Sequence, residues 1–231
     1  MKMLKKFLSE NPKTDLRCAL RLVAVLTLLF SSVVALAAES TTIRWDLANI
    51  SASGIITPGG FASAFADDNS KITMTGSGTF VTSARGGPFA GTSVHVTGGG
   101  NWQTFDSIGN STGSGTYTVR LLTGFDTATG SLVGSGLIDM IGDLSNAQAG
   151  LAVFNVDYSD GSRGILVVSC TLAPFGTPTT PASIFEGITA SKGCPTSPSA
   201  TCGSVDYWNR ENGLVITTAD QTIFHIVPKT H

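Results

Sequence analysis

Three histidines are the natural place to look for chemistry in this chain of 231 residues. His95 stands in Val94-His-Val96 and His225 in Phe224-His-Ile226, each between apolar neighbours, as within a strand. If the apolar flanks face a core, both imidazoles face away from it. If the opposite face lines a barrel interior, His95 and His225 converge with Asp106 or Asp139 as a general acid–base pair or as metal ligands. Glu186 is a further carboxylate for such a site. An isomerase, a lyase or a hydrolase would use groups of this kind. No H-x-H or H-x-x-x-H spacing occurs, and the expectation is that the protein holds no metal and no cofactor.

Other motifs carry less. Gly109-Asn-Ser-Thr-Gly113 has the letters of a nucleophile elbow, but a strand follows it where the elbow requires a helix. The Gly-rich phrases lack the lysine of a phosphate loop and open no helix. Asp157-Tyr-Ser-Asp-Gly161 resembles part of a calcium loop without its later glutamate, and reads as a hairpin turn. A second constellation is aromatic. Tyr207, Trp208 and Arg210 lie close together in the chain, and Trp102 is a further exposed-ring candidate. Flat rings beside a planar cation bind sugars or planar ligands, and also anchor protein interfaces. These four residues are the candidate ligand-binding set.

The compartment follows from the first 38 residues. A basic start (Lys2, Lys5, Lys6, Lys13, Arg17, Arg21) leads into the apolar run Leu22–Phe30 and a small-residue ending, Ala35-Leu-Ala-Ala38. These are the parts of a secretory signal, with an uncleaved anchor as the alternative and the only way this chain would meet a membrane. The expected location is therefore secreted, periplasmic or at the cell surface. The signal takes six basic and two acidic residues, so 39–231 carries eight basic and fourteen acidic side chains, a net of −6. Without a basic patch, nucleic acid is excluded as a partner. In an oxidising compartment Cys194 and Cys202 form the expected disulfide, and Cys170, ending an apolar run, is expected to be a buried thiol, although the spacing also permits its pairing with either of the others.

All 27 glycines fall after residue 38, among abundant Ser and Thr, which is a β composition. Short candidate strands run from Ile43 to Val227, including Lys71–Thr82, Thr116–Thr123, Leu132–Ile141 and Leu214–Thr218. In Thr116–Leu122, Tyr117, Val119 and Leu121 share one face by alternation. Three copies of one phrase, TGSGTF at 75–80, TGGGNW at 97–102 and TGSGTY at 112–117, place glycines in or beside strands, each followed by an aromatic. Glycine there marks a bend or a close approach, and the aromatic can fill a neighbouring strand's glycine gap.

The expected fold is all-β: one antiparallel barrel, or a sandwich, of about eight to ten strands over residues 39–231. A Pro/Ser/Thr-rich excursion is expected at 174–213, pinned by the disulfide and carrying one short helix at Ile184–Ser191 behind a capping-box serine. The expected function is non-enzymatic binding of a small molecule, or of a surface protein or glycan, at the excursion and barrel mouth. The competing expectation is an enzyme with a polar barrel interior.

Overall fold

The computed structural model describes residues 40–82, 95–172, 184–193, 206–211 and 220–229, and apart from one 3-10 turn at Leu144–Asn146 its regular elements are strands. They are β1 (Thr41–Ile50), β2 (Ile55–Pro58), β3 (Phe61–Phe65), β4 (Lys71–Thr75), β5 (Ser77–Thr82), β6 (Val96–Phe105) and β7 (Ser111–Ala128). There follow β8 (Ile138–Asp139), β9 (Ala147–Tyr158), β10 (Arg163–Cys170), β11 (Gly187–Lys192), β12 (Asp206–Trp208), β13 (Arg210–Glu211) and β14 (Gln221–Ile226).

Six of them close on themselves. β1 pairs β14, β14 pairs β9, β9 pairs β7, β7 pairs β6, β6 pairs β5 and β5 returns to β1, all antiparallel. The rest extend this barrel. β10, β11 and β12 add outward from β9, while β4, β3 and β13 add outward from β6. Closure decides against a sandwich. So narrow a ring has room inside only for side chains. Trp45, Leu47, Phe80, Phe154 and Phe224 are fully buried there, with Phe80 edge-on to Phe125, Phe154 and Phe224 at 4.9, 5.7 and 6.3 Å.

The repeated phrase turns the corners of this barrel. The ring of Trp102, from the second copy, lies about 3 Å from where a methyl group on Gly113 or Gly115 of the third would stand. Tyr117, from the third copy, covers Gly76 of the first and donates its hydroxyl to the Thr75 carbonyl at 2.9 Å. Gly76 divides what the sequence predicts as one strand, 71–82, into β4 and β5, which take different partners.

A second, smaller core lies outside the barrel. Ala48, Ile56 and Ile223 project from the outer face of β1, β2 and β14 and are covered by Leu132, Leu137, Ile141 and Leu144 of the β7–β9 connection. The strand predicted at Leu132–Ile141 is therefore mostly irregular chain, with a two-residue parallel bridge to β2. Its apolar residues divide between this core and solvent, where Val133, Ile138 and Met140 are exposed.

Three other expectations need correction or lie elsewhere. The helix predicted at Ile184–Ser191 is strand β11, with Ile188 and Ala190 buried and Thr189 turned outward, because pairing to β10 overrides the local capping signal. The predicted excursion is in part sheet, since β11, β12 and β13 fall inside 174–213. Residues 1–38, Cys194, Cys202 and the strand expected at Leu214–Thr218 lie outside the described residues.

The glycine contacts give a paired test. A methyl on Gly100 would collide with the Thr75 carbonyl, whereas nothing stands within 4 Å of one on Gly124. Gly100→Ala should lower unfolding stability by about 2 kcal/mol or more, and Gly124→Ala should change it by less than about 0.5 kcal/mol, in urea denaturation.

Candidate functional site

The histidines part company. His95 is exposed at the start of β6, and Asp106 follows the other end of that strand, up to roughly 35 Å away along extended chain. Asp106 is committed to the β6–β7 turn. Its carboxylate accepts from Ile108 N, Asn110 N and Asn110 Nδ2, which hold its pKa below the usual value.

His225 does meet a carboxylate, on the outside of the barrel. Its Nε2 lies 2.6 Å from Asp139 Oδ2, and both side chains are buried. Asp139 comes from the β7–β9 connection and also accepts from Ile141 N and Gly142 N. Gly142 packs flat on the imidazole, where a methyl group would strike the ring. Across β1, Arg44 donates twice to Asp46, whose pKa is raised by burial and pulled back by that guanidinium. His225 Nδ1 is buried and finds no hydrogen-bond partner among the described residues. The group thus pins the connection to the barrel. Its His225–Asp139 pair is sealed from solvent, while Arg44 is partly exposed.

Glu186 occupies a fork in the sheet. β9 pairs with β10 as far as Cys170 and then with β14 at Phe224, so Thr171 and Thr222 sit where the ladder divides. Glu186 Oε2 accepts from Thr171 N (2.8 Å) and Oγ1 (3.1 Å), and Oε1 accepts from Thr222 N (2.7 Å). Thr222 Oγ1 lies 2.5 Å from the Ser169 carbonyl oxygen and 3.0 Å from Glu186 Oε1. A hydroxyl has one proton, and a carbonyl oxygen can only accept. With that proton given to Ser169, the second contact is a hydrogen bond only when Glu186 is itself protonated and donates. Burial acts the same way and raises the Glu186 pKa to about 7, against the hydrogen bonds it accepts from Thr171 and Thr222 N. The buried Cys170 thiol beside it is pushed up by burial and by Glu186. A cavity of about 50 Å³ adjoins Glu186, walled by Ala48, Ile56, Leu132, Leu137 and Ile223, with room for solvent rather than a substrate.

The aromatic set is also divided. Trp208 is in the core at 3% exposure while its neighbour Tyr207 is 61% exposed, as alternation along β12 requires. Trp102 is buried, donates Nε1 to the Thr116 carbonyl, and carries the Lys192 ammonium 4.9 Å above its ring. The Arg210 side chain lies outside the described residues.

Tyr207 gains different company. On the outer face, the registers set Leu121 opposite Asn155, Asn155 opposite Ile165, and Ser191 opposite Tyr207, with Ile165 N donating to Ser191 Oγ between them. One row therefore crosses β7, β9, β10, β11 and β12, about 19 Å at roughly 4.8 Å per strand. β7 is irregular twice here, leaving Arg120 and Thr123 as the extra residues. The first bulge sends Leu122 rather than Leu121 into the core, which corrects the alternation predicted for Thr116–Leu122. It also puts Arg120 beside Leu121 on the outside. Arg120 Nη1 reaches Asp157 Oδ2 at 3.1 Å, and Arg163 Nε reaches Asp157 Oδ1 at 3.3 Å. Asn155 Nδ2 donates to Thr123 Oγ1. Arg120, Leu121, Asn155 and Asp157 line a shallow depression of about 340 Å³. Sequence reading missed this group because bulges leave no signature in residue type.

Among the described residues, no three His, Cys, Asp or Glu side chains gather as metal ligands.

The proton on Glu186 has a measurable consequence. Its folded pKa of about 7 lies above the ordinary 4.5, so the folded chain holds a proton that the unfolded chain has lost between those values. Unfolding stability should therefore fall by about 3 kcal/mol as pH rises from 4.5 to above 7, and Glu186→Gln should flatten that slope in denaturation curves across the range. No family model, no curated protein and no solved structure matches this chain.

Proposed function

We propose that this chain is an exported, non-enzymatic β-barrel protein that binds an extended surface glycan on the outer face of β7, β9, β10, β11 and β12. The observation that carries the reading is the row from Arg120 to Tyr207. It sets an exposed ring, an amide, a carboxylate and two guanidiniums on one face some five strands wide. Planar rings and positioned hydrogen-bonding groups are what sugar hydroxyls and sugar faces require. The filled barrel speaks against a small molecule held inside, and moves the site from the barrel mouth to the sheet. Export rests on the basic, apolar and small-residue segments of 1–38.

One observation favours the competing enzymatic reading, the His225–Asp139 pair, but its burial removes it from any substrate. The two readings separate in one experiment. On a glycan array, Tyr207→Ala and Arg120→Ala should each weaken retention by about tenfold, a loss of ~1.4 kcal/mol, with His225→Ala silent. Arrays that respond to neither variant would dismiss the platform, and a turnover abolished by His225→Ala alone would restore the enzyme. Trp208→Ala is unsuited to this test, since it removes a core residue.

A further inference from the structure

We infer that the glycan taken by this face is an anionic one, its carboxylate or sulfate groups held by Arg120 and Arg163; the inference rests on the platform reading above. The argument begins with the donor count. A guanidinium has five N–H groups in a fixed plane. Arg120 spends Nη1 on Asp157, and Arg163 spends Nε. Arg120 hydrogen-bonds Asp157 while Arg163 makes only an ion pair with it, and among the described residues most of the N–H groups of both guanidiniums are unspent. Both side chains remain open to solvent, at 51% and 63% exposure.

Charge points the same way. Among the described side chains, two arginines about one aspartate leave a local surplus of +1 in a chain whose formal net charge is −2. The neighbouring charge, Lys192, is already spent on Asp160 at 2.5 Å. An acidic protein repels polyanions in general, so a cationic island on a neutral platform of Asn155, Ile165, Ser191 and Tyr207 selects for an anion presented on a chain that also makes neutral contacts. Asp157 turns away a lone small anion at its own position but orients the two guanidiniums for a group bridging their outer edges, where each can offer a bidentate pair. Arg163 stands directly opposite Asp157 in the β9–β10 ladder, and Arg120 reaches the same carboxylate from the first bulge of β7. A regular strand would offer one outward residue where β7 offers Arg120 and Leu121 together.

The test uses the full-length secreted chain and four immobilised polymers: polygalacturonate, its methyl ester, dextran sulfate and plain dextran. The expected result is retention on polygalacturonate or dextran sulfate, at least tenfold weaker on the neutral counterpart, with affinity falling as salt rises. Arg120→Gln/Arg163→Gln should remove that preference. Arg120→Lys/Arg163→Lys should recover less than half of the lost affinity, because an ammonium cannot bind in two-pronged fashion. Full recovery by lysine would overturn the bidentate assignment. Equal binding to ester and acid, still lost in Tyr207→Ala, would overturn the anionic class while leaving the platform intact. Silence on every polymer, or retention indifferent to both Tyr207→Ala and the arginine variants, would remove the platform itself, as would a protein ligand captured through these residues in place of any polymer. Circular dichroism of each variant excludes unfolding as the cause, and the exposure of all three positions makes folding the expected outcome.

Discussion

A six-stranded ring is too narrow to hold anything but its own side chains, and most features of this protein follow from that limit. Five rings from five strands, Trp45, Phe80, Phe125, Phe154 and Phe224, interlock along the axis. Strands that coil this tightly must also approach one another closely, and there the glycines become necessary. Backbone replaces side chain at Gly76, Gly98 and Gly100, and Tyr117, Trp45 and the Thr75 carbonyl occupy the space. Aromatic filling and glycine thinning are thus one device seen from its two sides.

Because the interior is filled by aromatic and aliphatic side chains, with the Trp45 indole N–H left without a partner among the described residues, the buried carboxyls are placed at joints in the sheet. Glu186 stands at the fork between β10 and β14 and takes the two N–H groups that the divided ladder leaves over. Asp220 does the same for Ser63 at the start of β14. Asp46 and Asp139 fasten the outer core through Arg44 and His225. A carboxyl suits such posts because it accepts along several directions at once, and where no cation faces it among the described residues, as at Glu186, holding a proton is the cheaper state. The same residue types that suggest acid–base chemistry on paper serve here as fasteners.

That difference marks how far the sequence could be read. Composition and turn residues were sufficient for an all-β antiparallel domain, because glycine and β-branched residues act locally, but barrel and sandwich stayed open until the pairing of β5 with β1 closed the ring. The aromatic-over-glycine contacts were legible too, since they depend on the spacing inside one repeated phrase. His225 and Asp139 could be named as partners by type, but not that they meet beneath a connection outside the barrel, which depends on pairings between residues 86 apart. Strand β11 was mistaken for a helix because Ser183 and Glu186 have capping spacing. The carboxyl instead goes to Thr171 and Thr222, contacts no local window contains. Of the aromatic set Tyr207 alone faces outward, because a strand has two sides and residue type does not say which is inside.

Arg120 shows where such reading ends and what replaces it. In a regular strand it would be one more outward residue, indistinguishable from Thr116 or Thr118. The extra residue in β7 changes its neighbours instead of its type, bringing it to the aspartate that Arg163 also reaches. Bulges cost ladder hydrogen bonds, and the two in β7 lie within a few residues of each other, where the strand bends around the barrel. The outer group they assemble, Arg120 on Asp157 and Thr123 under Asn155, is exposed and contributes little to stability. Exposure separates this outer group from the buried posts at Glu186 and Asp139, which hold the sheet and its connection together.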